Sequence, residues 1–355
     1  MKRILFLAPA TNYHTQKWCL YFYEQGYDVH VISLTDCKIP NVHIYCPMSS
    51  NKSNQSDIQK LSYLRLVPLI NRIYKELSPD IVSVHYATSY GFLAALSKIN
   101  KYSLSVWGTD VYAFPKKSLL HKILLRYSLK KATILLSTSR AMAKECRTYT
   151  DKEFHITPFG VNMELFCPTN KIDRDTFVIS NMKSLSHEYG TDVLLKAINE
   201  VVKRYPAIKM KIYIAGTGPA EDEFKKLAHF LNIDKYIEWL GLVPLEVIAE
   251  KLKNSDIAVI PSYRESFGVS AVEAQACGIP VIISDVDGLK EATSPYNSSI
   301  VVEPGNYKFL ADAIIDLFLD EAKRIRMGAN ARDFVFENYE LSKCFFNIET
   351  ILNNF

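Results

Sequence analysis

At 355 residues, 48% hydrophobic and 23% charged, the chain carries enough apolar sequence for two domains of ordinary size and excludes intrinsic disorder. Its net charge of +4 conceals two unlike halves: residues 1–165 hold 21 Lys and Arg against 11 Asp and Glu, whereas 166–355 hold 21 against 27. A basic first half suits acidic lipid headgroups, anionic acceptors or nucleic acid, and no apolar run approaches the ~18 residues that span a bilayer.

The opening Met-Lys-Arg-Ile-Leu-Phe-Leu-Ala-Pro-Ala has the charge and the A-x-A of a secretory signal. Only residues 4–7 precede Ala8, however, short of the ~7 apolar residues such a signal needs, so 3–8 reads as a first buried strand. Further strands are predicted at about 28–33, 81–85, 102–107 and 133–137, alternating with helical stretches, and Gly26 stops a helix before the second of them. The polar stretch 48–57 reads as a low-complexity loop, and 157–170 as an interdomain linker. A second series of strands follows at about 177–180, 209–214, 236–239, 256–260, 280–283 and 299–302, and 341–353 is a closing helix. Such alternation predicts parallel sheets covered by helices. Two doubly wound domains facing one another form a cleft with ligand sites at the carboxyl ends of their strands.

The seven cysteines are scattered and form no C-x-x-C pair, and the eight histidines form no H-x-x-x-H pair. This usage fits a reducing cytoplasm and predicts neither a structural nor a catalytic metal.

Residues 261–283 are the most informative stretch. Residues 257–260 read as a buried strand, 261–265 as a loop, Ser266 as the N-cap of a helix over about 267–277, Gly278 as its stop, and 281–283 as another buried strand. Glu273 is the only charge in that helix, and glutamate is rarely buried without a partner. In one reading Glu273 lies on a solvent-facing stripe and Glu265 in an ordinary polar loop. In the other, Gly268 lets a ligand approach a helix N-terminus, where free N–H groups and the macrodipole favour phosphate. Glu273, one turn on, then accepts hydrogen bonds from a ribose diol. This second arrangement suits a nucleotide diphosphate carrying a group that Glu265 touches.

Glu265-Ser-Phe-Gly with Glu273-Ala-Gln-Ala-Cys-Gly-Ile-Pro-Val-Ile resembles the paired-glutamate motif of the retaining family 4, or group 1, glycosyltransferases. Ile214-Ala-Gly-Thr-Gly-Pro219, Leu240-Gly-Leu-Val-Pro244, Phe159-Gly-Val-Asn162 with Phe166-x-Pro168, and Gly288-Leu-Lys-Glu291 follow in the family's order. The resemblance implies an α/β protein of two facing Rossmann-like, doubly wound domains (the GT-B arrangement) with a C-terminal crossover helix. Its boundaries are expected at 1–165 for the acceptor-side domain, 166–338 for the nucleotide-sugar domain and 339–355 for the returning helix, which acts as part of a hinge.

Carried over by position, the resemblance makes Glu273 the ribose ligand and Glu265 a contact to the transferred sugar. The backbone of Ser266, Phe267, Gly268 and Val269 holds the diphosphate and sugar, Val243 lies against the nucleobase, and Gly216 and Gly218 line the same site. Lys183 stands where the family has one of its two phosphate-binding cations, and Tyr189 where it has the other; Arg264 is a candidate substitute. In the first domain the family's glycine-rich loop is replaced by 9–18, leaving Asn12 and His14 as acceptor-side contacts. Trp107 replaces a histidine in Val106-Trp-Gly-Thr-Asp110, with Asp110 retained as a catalytic candidate. His85, at the end of a strand, is either an acceptor-side hydrogen-bonding group or a structural histidine. Asp285-Val-Asp287 looks like a metal-binding D-x-D but reads as an Asp-rich turn.

Residues 116–131 form a basic amphipathic helix, either lying on anionic lipid or packed on its own sheet with a solvated outer face. The resulting expectation is a cytoplasmic, metal-independent, cofactor-free retaining glycosyltransferase, peripheral on the inner face of the plasma membrane. It moves a hexose or N-acetylhexosamine from a nucleotide diphosphate sugar to a saccharide or lipid-linked acceptor in cell-surface polysaccharide synthesis, with no nucleic acid partner. The alternatives are a nucleotide-sugar epimerase or hydrolase, a pyridoxal-dependent phosphorylase and a non-catalytic donor-binding subunit. The epimerase or hydrolase needs its own acid/base residues, the phosphorylase lacks a cofactor-lysine context, and both glutamates with Lys183 argue against the non-catalytic subunit.

Overall fold

The computed structural model describes residues 1–46, 61–169 and 175–355. The polar stretch 48–57 and the end of the 157–170 linker lie outside the described residues. The chain divides into two compact units: residues 1–159 with 344–355, and residues 160–343. The boundaries expected from sequence were 165/166 and 338/339.

The first unit is built on a seven-stranded parallel sheet: β1 (Arg3–Leu7), β2 (Asp28–Ile32), β3 (His43–Tyr45), β4 (Ile81–His85), β5 (Ser103–Val106), β6 (Ile134–Ser137) and β7 (Phe154–Ile156). They lie in the order β3-β2-β1-β4-β5-β6-β7. β1 reads as a continuous apolar run because helices cover both faces of such a sheet, and Ile4, Leu5, Phe6 and Leu7 are fully buried. The predicted strands 3–8, 28–33, 81–85, 102–107 and 133–137 all form, each to within a residue or so at its ends. β3 and β7 were not predicted. Three residues are too few to display a period of two, and both strands form at sheet edges by pairing with a longer neighbour.

The second unit holds a six-stranded parallel sheet: β8 (Phe177–Met182), β9 (Met210–Ala215), β10 (Ile237–Gly241), β11 (Ile257–Ile260), β12 (Val281–Ser284) and β13 (Ser299–Val302). Its order is β10-β9-β8-β11-β12-β13. In both units the first strand sits centrally, with its second strand on one side and its fourth on the other. This is the doubly wound arrangement, and each sheet has a switch point where loops leaving neighbouring strands diverge.

The closing helix Leu341–Asn353 contributes to the first unit. Phe345, Ile348 and Leu352 are buried. The Phe345 ring stacks on Tyr21 at 4.9 Å, and Glu349 accepts hydrogen bonds from the hydroxyls of Tyr21 and Tyr27, each at 2.9 Å.

Candidate active site

At the switch point of the second unit, β8 delivers Lys183 and β11 delivers Glu265. Lys183 Nζ donates to Glu265 Oε2 at 2.5 Å, and the two side chains are only 13% and 8% exposed. The ammonium also lies 4.3 Å from the centre of the Tyr189 ring. Tyr189 therefore supplies a π face to the cation rather than a second charge. Burial, followed by the charge of Glu265, pushes the Tyr189 phenol well above its usual range, so the ring stays neutral.

The neighbouring loop, after β9, is held backbone to backbone against this pair. Lys183 N donates to Ala215 O at 3.0 Å, and a Cβ added at Gly216, whose φ is +128°, would lie 2.2 Å from Lys183 O. Gly218 approaches Leu185 O equally closely. These glycines set the position of the Lys183 loop. Val243, beyond β10, is half-buried and packs against the apolar cluster that contains Ala215 and Ile260.

The helix after β11 runs Val269–Ala276, shorter than expected, and its N-cap is Gly268 rather than Ser266. The reason is conformational: Gly268 has φ +103°, a left-handed geometry that glycine accepts without steric cost, and it turns the chain into the helix two residues later than a serine cap would. Phe267 points into the core, where it meets Tyr339 edge-on at 5.1 Å, leaving only its backbone at the turn. Val269 and Glu273, four apart on one face, are the half-buried residues of a helix whose other side chains are buried. Both readings of Glu273 fit that placement.

Two residues passed over in the sequence matter here. Ser270, in the first turn, has a buried hydroxyl with no hydrogen-bond partner among the described residues. Gln275 is fully buried, donates to Ala271 O and Ala292 O, and accepts from Ser298 Oγ at 2.7 Å. It ties the helix to the segment behind it. Arg264 is exposed. Asp285 and Asp287 both pair with Lys290, at 2.7 and 3.5 Å.

In the first unit, Asn12 caps the Tyr13–Glu24 helix, its Oδ1 accepting from His14 N at 2.8 Å. Its amide nitrogen lies 3.5 Å from the Tyr86 hydroxyl. The His14 ring stacks on Phe159 at 3.7 Å, and burial, then nearby Lys17, lowers its pKa to about 3, so it is neutral at ordinary pH. Trp107 is buried and donates its indole N–H to Ser105 Oγ at 2.8 Å. That donor faces inward, and the ring packs against His14, His85, Tyr86 and Phe159.

The acceptor-side reading of His85 and the catalytic reading of Asp110 require correction. His85 is fully buried among Phe6, Trp18 and Trp107, with its pKa lowered to about 3 by burial and then by His14. It cannot touch an acceptor as it stands, because the apolar β4 carries it into the core. Asp110 is 2% exposed and accepts from the backbone N–H groups of Ala87, Trp107 and Gly108 at 2.9–3.2 Å. Burial raises its pKa against those hydrogen bonds. Asp110 fastens the loops after β4 and β5 together rather than meeting substrate.

Two family models match the chain: "Glycosyl transferases group 1" over residues 164–334 and "Glycosyl transferase 4-like" over residues 3–139. The chain belongs to the group 1 glycosyltransferases. It is 26% identical to the N-acetyl-alpha-D-glucosaminyl L-malate synthase of Bacillus anthracis, over 92% of this chain and 89% of that protein. It is 36% identical to the D-inositol 3-phosphate glycosyltransferase of Corynebacterium kroppenstedtii over 44% of this chain, but that match spans only 36% of the relative's length. Among solved structures, Alr3699/HepE of Anabaena, in complex with UDP and glucose, superposes with a TM-score of 0.81 over the whole of both chains at 16% identity. The two parallel-sheet units are those of the GT-B fold.

In this glycosyltransferase the first unit also contains Tyr86, which sequence reading missed. It follows β4 with φ +68°, a conformation that costs a non-glycine residue on the order of 1 kcal/mol, and its hydroxyl reaches the Asn12 amide. No residue-type signal marks it, since tyrosine is not a residue that favours a left-handed φ. Asp110→Ala strips three buried N–H groups of their acceptor and lowers stability to urea by about 3 kcal/mol. Turnover per folded molecule changes far less, and Asp110→Asn recovers part of the stability.

Proposed function

We propose that the chain is a retaining, metal-independent glycosyltransferase. It transfers a hexose or N-acetylhexosamine from a nucleotide diphosphate sugar to a hydroxyl of a saccharide or lipid-linked acceptor in cell-surface polysaccharide synthesis. The observation that carries this reading is the Lys183–Glu265 pair at the carboxyl ends of β8 and β11, beside a helix start with an unpartnered Ser270 hydroxyl. Helix N-termini at such switch points bind phosphate. Lys183 leaves Glu265 for the diphosphate, and Glu265 then accepts hydrogen bonds from the sugar. Glu273 takes the ribose diol, Val243 lies against the base, and the backbone of residues 266–269 with Gly216 and Gly218 surrounds the diphosphate.

In the reaction the donor's C1–O bond breaks, the departing phosphate oxygen takes the acceptor proton, and the acceptor oxygen bonds to C1 on the same face. Lys183 offsets charge growing on the leaving oxygen. The presence of UDP and glucose in the complex of Alr3699/HepE supports a donor of this class. Asn12, His14 and Trp107 are the acceptor-side contacts, and a neutral His14 offers hydrogen bonding without charge.

The end-to-end relative named for N-acetylglucosamine and L-malate, with the basic charge of residues 1–165, favours a second acceptor class, a small anionic hydroxy compound. The deciding experiment incubates the chain with a panel of UDP- and GDP-sugars and both acceptor classes in EDTA, reading the product anomer by NMR. Transfer with the donor's anomeric configuration supports the reading. Free sugar or epimerised donor as the only product favours a hydrolase or epimerase, and inversion or dependence on an added metal refutes the mechanism.

We assign the helix Leu119–Lys131 a membrane-facing role in the same reading. Leu125 and Leu129 anchor it to the core, while Leu119, Leu120 and Ile123 are 73%, 62% and 53% exposed beside exposed Lys116, Lys117, Arg126 and Lys130. Among the described residues no helix is long and apolar enough to cross a membrane. At low salt the chain sediments with anionic vesicles and not with neutral ones, and equal recovery from both sinks this assignment.

A further inference from the structure

The histidines that look dispersed along the sequence include two that the first sheet brings together. Asp28 and His30 lie two apart on β2 and so share a face, and the parallel pairing sets His30 opposite His43 on β3. His30 Nε2 lies 3.1 Å from Asp28 Oδ1, and His43 Nε2 lies 3.6 Å from the same oxygen. The two rings stack at 4.8 Å with 18° between their planes, and one donor atom from each of the three residues falls within 4.8 Å of the others. A tetrahedral zinc ion with bonds of ~2.0–2.1 Å to nitrogen and oxygen sets its ligand atoms ~3.3 Å apart. The two contacts to Asp28 straddle that spacing.

The remaining polar atoms are already engaged in the way metal ligands usually are. His30 Nδ1 lies 3.2 Å from the Tyr45 hydroxyl; with Nδ1 as the donor of that bond, Nε2 is the nitrogen left for an ion. Arg3 Nε donates to Asp28 Oδ2 at 3.3 Å, which leaves Oδ1. His30 is 5% exposed, and its Nε2 is buried without a well-angled hydrogen bond. Such supporting partners orient ligands and raise their basicity.

We propose that Asp28, His30 and His43 form a site for one zinc-like divalent cation, bound through Asp28 Oδ1 and both Nε2 atoms, with a fourth position open to water beside the exposed His43. Asp28 is the first residue of β2, so the site lies at the amino end of the sheet, opposite the strand ends where ligands bind in such folds. Its role is structural: the ion pins the three-residue edge strand β3 to its neighbour. Spacing rules for zinc sites miss it because strand pairing, not a local motif, brings His43 to His30.

The test titrates the untagged, chelator-stripped full chain with Co2+ as a spectroscopic probe and with Zn2+ in competition with a chromogenic chelator. One ion binds per chain, the Co2+ spectrum lacks a thiolate charge-transfer band despite the seven cysteines, and Zn2+ raises Tm. His43→Ala, at a side chain 65% exposed and therefore safe for folding, abolishes both effects, as does Asp28→Asn. Tyr45→Phe weakens binding by about 10-fold. Substoichiometric binding, a thiolate band, or affinity that survives His43→Ala overturns the proposal and leaves a hydrogen-bonded Asp-His-His cluster only.

Discussion

Glu265→Ala lowers glycosyl transfer by on the order of 10²-fold or more while the nucleoside diphosphate still binds. In the proposed reading the two effects separate because Glu265 faces the sugar side of the site, whereas the diphosphate meets Lys183 and the turn at Gly268. Removing the carboxylate also releases Lys183 from its partner at 2.5 Å, so the diphosphate binds as tightly as before or more tightly. A calorimetric titration beside an initial-rate assay reads both numbers. Stability falls as well, because an ammonium only 13% exposed loses its counterion; breaking a buried pair on one side costs about 3 kcal/mol. Glu265→Gln keeps the volume and a hydrogen-bonding group, so it separates lost folding from lost chemistry. Transfer at the normal rate by a folded Glu265→Ala protein removes the central assignment.

Lys183→Met acts on the other half of the pair. If the ammonium stabilises the leaving diphosphate in the transition state, kcat drops by ~10²–10³-fold, equivalent to about 2.7–4 kcal/mol, and the donor KM moves much less. A rise in KM at constant kcat assigns Lys183 to ground-state binding instead. Tyr189 supplies a sharper check, since its ring centre lies 4.3 Å from the ammonium. Tyr189→Arg placed in the Lys183→Met background returns a cation to the same region and recovers part of kcat. No recovery in a folded double variant argues that position 183 needs the pairing with Glu265 itself, not merely a nearby positive charge.

The placement of the proposed donor-side residues was legible because they are local in sequence. Glu265, Gly268 and Glu273 belong to one strand-turn-helix segment, and Lys183, Gly216 and Val243 each follow a strand whose apolar run announces it. What failed was the detail of the turn: a serine is a good cap by residue type, but the left-handed φ at Gly268 decided where the helix begins. In the first unit the failures share a cause. His85 ends a strand and Asp110 stands at a motif position, and neither a strand end nor a motif reports which way a side chain faces once β4 and β5 are buried. Long-range pairing was beyond reach for the same reason, as β3 and the meeting of His30 with His43 exist only after parallel strands have come into register. Tyr86 adopts a left-handed φ that its residue type does not announce.

The closing helix carries a consequence for how the molecule is made. Residues 160–343 are one uninterrupted segment, whereas the unit that begins at Met1 owns Phe345, Ile348 and Leu352 in its core. Because 344–355 follow 160–343 along the chain, the first unit keeps an open seam on the ribosome until after the whole of the second unit's sequence has been made. A fragment ending at Phe159 is missing part of its own interior, and expressing that unit alone requires residues 344–355 to be supplied by a linker or as a separate peptide.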